Sequence, residues 1–140
     1  MTRVDERDER AAALAVINRA GPLRKVIDRI DQIEMSSDAK ALLRDLARIT
    51  IRVGEVVVAI GRKVVDFAFE LMKAFPNMIF GVIVGLIVAA LVGSVPVIGA
   101  LLAPLAVAFG LSKGALEDVK DSGLRGRVAE LERAVATVVQ

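Results

Sequence analysis

The chain contains no cysteine, histidine, tryptophan or tyrosine. Without cysteine there are no disulfides and no thiol nucleophile. Without histidine there is no Cys/His zinc site and no side chain that ordinarily titrates near neutral pH. The missing tryptophan and tyrosine leave no aromatic belt of the kind that marks a membrane interface. Five phenylalanines (Phe67, Phe69, Phe75, Phe80 and Phe109) gather in and around the apolar centre instead.

Charge is missing only locally. From Ala74 to Ser112 there is no Asp, Glu, Lys or Arg, although 26% of the residues are charged and both flanks are dense in them. Hydrophobic residues make up 55% of the chain, above the roughly 45–50% of soluble domains, and the mean hydropathy is +0.58. Charge and apolarity are therefore segregated along the sequence. The N-terminal stretch to Leu14 mixes both signs before any apolar run, which does not match a signal or transit peptide. The net charge is +2, with basic and acidic residues interleaved, so a nucleic-acid partner is not expected.

No catalytic constellation is present. The sequence has no GxxxxGK[ST] loop and no GxSxG elbow, and Ser94 and Ser112 have no histidine to activate them. Pairs such as Asp66–Glu70 and Glu117–Asp118 sit among Lys and Arg, as surface charges do. The reading is non-enzymatic, with no catalytic residue, cofactor or metal expected.

Periodicity predicts an all-α protein. Soluble N-terminal helices are expected over 1–38: a first from about Asp5 to Ala20, ended by Gly21-Pro22, and a second from about Leu23 to Met35 with Leu23, Ile27, Ile30 and Ile33 on one face. Ser36-Ser37-Asp38 offers N-cap oxygens for the next helix.

Residues 39–75 read as one long amphipathic helix. At about 100° per residue, Arg44, Asp45, Arg48, Arg52, Glu55, Arg62, Lys63, Asp66, Glu70 and Lys73 fall inside one arc of roughly 100°. Ala47, Gly54, Gly61 and Ala68 lie opposite, spaced by sevens, and form a ridge for helix–helix packing. The stripe of Arg52, Glu55, Arg62, Lys63, Asp66, Glu70 and Lys73 is either a solvated face, partly paired within the helix, or the lining of an oligomeric lumen.

Residues 76–112 read as an apolar helical hairpin, with arms over Met78–Gly93 and Val97–Leu111 joined at Ser94-Val95-Pro96. Neither arm has a polar face, and so short a chain has little mass left to wrap both. Roughly 39 residues amount to about 58 Å of helix, close to two crossings of a hydrocarbon core of roughly 30 Å. Each arm alone is short, so a re-entrant wedge is the alternative. Gly81, Gly85, Ala89 and Gly93 repeat every four residues, as do Gly99 with Ala103 and Ala106 with Gly110, ridges that let membrane helices pack closely. Pro104 removes a backbone donor from the second arm. Cations flank both ends of the hairpin and none lies in its turn, so both termini are expected on the cytoplasmic side of a bacterial inner membrane. The remainder, 113–140, ends in an amphipathic helix from about Ser122 to Val139. Its Leu124, Val128, Leu131, Val135 and Val138 form an a/d seam suited either to the N-terminal helices or to a coiled coil.

Three functional classes fit these features. The first is a homo-oligomeric membrane-embedded effector that forms a pore or perturbs the bilayer, in the manner of a holin, toxin or phage-defence effector. The second is a scaffold or anchor that bends membrane through a hairpin wedge. The third is a small accessory subunit docked on a partner protein in a membrane complex.

Overall fold

A computed structural model describes residues 2–19, 22–76, 79–108 and 122–139. The described residues are mostly helical, as the periodicity requires. Helix α1 spans Thr2–Asn18 and α2 spans Leu23–Asp31. The chain enters α2 through Pro22 at φ −56°, ψ 144°, an extended conformation from which the helix starts at the next residue. The buried stripe of α2 centres on Val26 and Ile30, while Leu23, Ile27 and Ile33 are half-buried beside it.

Helix α3, Ser37–Ala47, starts where its cap predicts. The Ser36 hydroxyl accepts the Ala39 N–H at 3.2 Å, and Asp38 lies in the first turn against the positive end of the helix.

The expected single helix over 39–75 does not form. It is interrupted by an antiparallel hairpin, β1 (Ile51–Val53) and β2 (Val56–Val58), before α4 (Ile60–Ala74) begins. The register pairs Ile51 with Val58, Arg52 with Val57 and Val53 with Val56. The physical reason is local. Seven of the ten residues from 49 to 58 are β-branched, and such side chains lose rotamer freedom in a helix but pack well on a pleat. Gly54 opens the two-residue turn at φ 63°, and no non-glycine among the described residues has positive φ, the pattern of a type II′ hairpin turn.

The chain therefore doubles back, and α4 packs on α3 instead of extending it. Gly61 donates its N–H to the Ile49 carbonyl at 3.0 Å. A Cβ at Gly61 would fall inside the Leu46 carbonyl group, so only glycine permits this approach.

Helix α5 (Phe80–Ser94) and helix α6 (Pro96–Ala108) form the expected apolar hairpin. Met78 and the end of the second arm beyond Ala108 lie outside the described residues. Only Val95, at φ −124° and ψ 94°, is non-helical between the two helices. Its carbonyl accepts the N–H groups of Ile98 and Gly99, so it ends one helix and starts the next, and Pro96 occupies the first-turn position that needs no donor. A Cβ on Gly99 would lie 3.1 Å from the Val92 carbonyl oxygen, which shows how closely the two arms approach.

Contrary to the expectation that the chain is too short to wrap an apolar arm, α5 is covered by α4, α6 and by α7 (Ser122–Val139). Ile83, Val84, Ile87, Val88 and Leu91 are fully buried. Helix α5 has 15 residues, which is about 22 Å of helix against a hydrocarbon core of roughly 30 Å. No helix among the described residues is long and apolar enough to cross a membrane.

Helix α7 buries the whole predicted seam of Leu124, Val128, Leu131, Val135 and Val138. It packs mainly on α1, where Ala13 and Ile17 are also buried, and on α5. The seam is thus filled within the chain and is not left for a coiled coil.

Candidate functional site

The apolar hairpin presents its open side through α6. Val97 (63% exposed), Ala100, Leu101 (48% exposed) and Pro104 recur at helical spacing and face outward, with no polar side chain among them. The opposite side of the same helix, Ile98, Leu102 and Leu105, is buried against the bundle. At the open end of α5, Ile79 and Val82 are also exposed. Exposed apolar residues scattered singly are ordinary, but a repeated stripe on an uncharged hairpin is not.

The small residues of the hairpin do not form one continuous seam. Gly85 and Ala89 are buried in the bundle, and a Cβ on Gly81 would meet the Met35 methyl at 3.4 Å. Gly93 is exposed with nothing near it, whereas Gly99 and Ala103 are half-buried along α6. The Ala106 side chain and Gly110 lie outside the described residues.

The ridge and the charged stripe are corrected by the β-hairpin. Ala47 lies in α3, Gly54 in the exposed turn, and Gly61 and Ala68 in α4. Ala47 and Ala68 are buried, and Gly61 meets α3 through the Leu46 backbone. Three of the four ridge residues thus become packing positions on two separate helices, and Gly54 serves the turn instead. Arg52 and Glu55 sit exposed on the hairpin, and Glu70 and Lys73 are exposed on α4. Arg62 and Asp66 are half-buried, and Lys63 is only 7% exposed. These charges cannot line a lumen along one helix, because they belong to separate elements of the fold.

Pairing along α4 also differs from its helical spacing. Asp66 stands four residues from Arg62, yet its carboxylate pairs with Arg29 of α2 at 3.6 Å. The Arg29 guanidinium lies 4.0 Å from the centre of the Phe69 ring, and Phe69 stacks on Phe80 with centroids 4.5 Å apart. This column ties the charged helices to the first residue of the apolar arm. A partly exposed ion pair of this kind contributes at most about 1 kcal/mol, and the cation–π contact adds roughly 0.5–1 kcal/mol. Sequence periodicity missed the column because Arg29 and Phe80 are far apart in the chain.

A second cationic group lies between α4 and α7. Lys63 Nζ and the Arg127 guanidinium each stand 5.7 Å from the centre of the Phe67 ring. Arg62 Nε is shielded from solvent and has no hydrogen-bond partner among the described residues. Near this part of α7, Gly126, Ala129, Glu132, Arg133 and Ala136 share an open groove of about 360 Å³ with Ser94, the last residue of α5. Ser94 itself donates its hydroxyl to the Ala90 carbonyl at 2.7 Å. Among the described residues, no group of three or more carboxylates is arranged to hold a metal ion.

No protein-family profile matches the chain, and comparisons with curated proteins and with solved structures find no match.

Proposed function

We propose that this protein is a non-enzymatic, membrane-active protein that assembles as a homo-oligomer and perturbs a lipid bilayer through the α5–α6 hairpin. The observation that carries the proposal is the outward stripe Val97–Ala100–Leu101–Pro104 on a hairpin with no charged residue. Such a surface is costly to leave in water and favourable to seat among acyl chains. Assembly is supported by Gly93 and Ala100, both exposed, where small residues leave room for a second backbone. Because the hairpin returns the chain to the side from which it entered, the flanking cations are in keeping with cytoplasmic placement.

A wedge that enters one leaflet, the scaffold or anchor reading, is favoured over a double crossing by one observation. Helix α5, complete at 15 residues, falls short of the core thickness. In that geometry α6 lies in the bilayer surface while α5 stays under α4 and α7.

The test is vesicle flotation combined with dye release, comparing the native chain with a Val97→Asp/Leu101→Asp variant. Both positions are exposed, so the variant should melt within a few degrees of the native protein. An Asp within the acyl region costs up to about 2.5–3.5 kcal/mol, roughly a hundredfold for one, so the double variant should bind vesicles at least about a hundredfold more weakly, with matching loss of dye release. A native chain that neither floats nor releases dye with any lipid overturns the proposal, as does a variant that behaves like the native chain. Tubulated vesicles that keep their dye select the wedge.

A further inference from the structure

Helix α6 is held to the rest of the protein by an apolar contact alone. None of its residues, Pro96–Ala108, has a polar side chain, and the one in α5, Ser94, donates its hydroxyl within its own helix to the Ala90 carbonyl. No side-chain hydrogen bond or ion pair joins the two arms among the described residues. Within the same residues α6 packs broadly on α5 and on no other element. Its buried face is Ile98, Leu102 and Leu105, and its opposite face is uncovered.

The joint between the arms is a single residue. Val95, at φ −124° and ψ 94°, stands between the last turn of α5 and the first of α6. Its N–H donates back to the Leu91 carbonyl, and its own carbonyl accepts forward from Ile98 and Gly99. Pro96 has no N–H with which to tie the second helix to the first. Among the described residues no backbone hydrogen bond passes across Val95, so its two dihedral angles can change without breaking one. Element-terminal residues of this kind are where hinges form.

Water presses α6 onto α5, because burying an apolar face is favourable when the alternative is water. Acyl chains are as apolar as the α5 surface, so at a bilayer that drive is absent. While docked, α6 is tied to a bundle whose α4 exposes Glu70 and Lys73, and only its outer side is open to acyl chains. Once released, its whole circumference is. The bundle keeps a core, since α4 and α7 still cover α5. Residues 109–121 lead from α6 to α7. A stretch of that length reaches up to about 43 Å, roughly twice the length of α6, so α7 can stay in place while α6 moves.

We infer that α6 is a releasable helix: docked on α5 in water, it swings out about Val95 when the protein meets a lipid surface. The inference rests on the membrane reading above and adds the conformational step by which the hairpin enters lipid.

The experiment uses the full chain, which has no native cysteine to compete with introduced thiols. A Cβ on Gly99 lies 3.7 Å from the Val92 Cα, so the two Cα atoms are no more than about 5 Å apart, close enough for a disulfide. Val92→Cys/Gly99→Cys therefore staples α6 to α5 beside the hinge, and reductant frees it. Flotation with vesicles of phosphatidylcholine mixed with phosphatidylglycerol compares the two forms of this one protein. The reduced form should bind as the native chain does and the stapled form about tenfold more weakly, since only the docked state remains to it. Nitroxide labels on a Leu101→Cys/Glu70→Cys chain, at two exposed positions, follow the swing without a staple. Leu101 lies about 9 Å of helix beyond Val95, so the label separation, narrow in water, should shift by about 5 Å or more and broaden on vesicles. If the staple does not form, the labels decide alone. A separation on bound vesicles that matches the one in water overturns the release, as does equal binding by the stapled and reduced forms. Both of those results leave the membrane reading standing, whereas a native chain that binds no vesicle sinks that reading itself.

Discussion

Replacing Gly61 by alanine separates the observed fold from a continuous helix by the sign of its effect. In one long helix Gly61 would be an interior position, and alanine would stabilise it by up to about 1 kcal/mol. In the structure the new methyl would occupy the space of the Leu46 carbonyl, with Ile49 Cβ 3.0 Å away. The obstruction is backbone, so no rotamer change removes it, and α3 must separate from α4. Overpacking of this kind costs about 1–3 kcal/mol, and the strained Gly61–Ile49 hydrogen bond adds about 1, against the gain of up to about 1 from helix propensity. The net effect is a loss of about 1–3 kcal/mol, or roughly 4–12 °C in melting temperature at about 4 °C per kcal/mol for a chain of this size. Thermal and urea unfolding followed by circular dichroism would read it directly. Gly126→Ala is the matched control, because a Cβ there meets nothing within 4 Å, and it should stabilise by roughly 0.5–1 kcal/mol. A Gly61→Ala protein that melts higher than the native chain would refute the packing of α4 on α3.

Three further outcomes rest on individual contacts. Asn18→Ala removes the oxygen that accepts the Ala59 N–H at 3.2 Å, a part-buried bridge between α1 and the entry to α4; it should cost about 1–2 kcal/mol in urea unfolding, and an unchanged midpoint would dismiss the bridge. Ser36→Ala strips the cap from α3 and should cost about 1 kcal/mol, whereas Ser36→Asp should restore it; equal melts for alanine and aspartate would show that the cap is not felt. Phe69→Ala removes the ring between Arg29 and Phe80 and should lower stability by about 3–5 kcal/mol, with Arg29→Met costing far less; a mild Phe69→Ala effect would mean that the column does not hold the hairpin to the charged helices.

How much was legible in the sequence differs by element. The cap at Ser36, the hairpin turn at Val95 and the seam of α7 could all be read, because each is set by neighbours within a few residues. The break in the long helix was also written locally, in the β-branched run flanking Gly54, but a helical wheel hides it. The common phase of the charges comes from their spacing in the sequence alone, and it carries no sign that the chain turns back between Arg48 and Arg62. The cationic group at Phe67 was only half legible. Lys63 stands on the predicted stripe, but nothing local indicates that Arg127 reaches the same ring or that Asp66 turns to Arg29.

The uncharged stretch from Ala74 to Ser112 was set by composition alone: residues without a polar face must be buried in protein or in lipid, whatever the rest of the chain does. Which arm takes which environment was a tertiary decision. Burial depends on what surrounds a helix, and here α4 and α7 close over α5 while α6 keeps one side uncovered. The exposed stripe on α6 and the unpaired cations beside Phe67 exist only because helices distant in sequence meet, and no periodicity within one segment can report such a meeting.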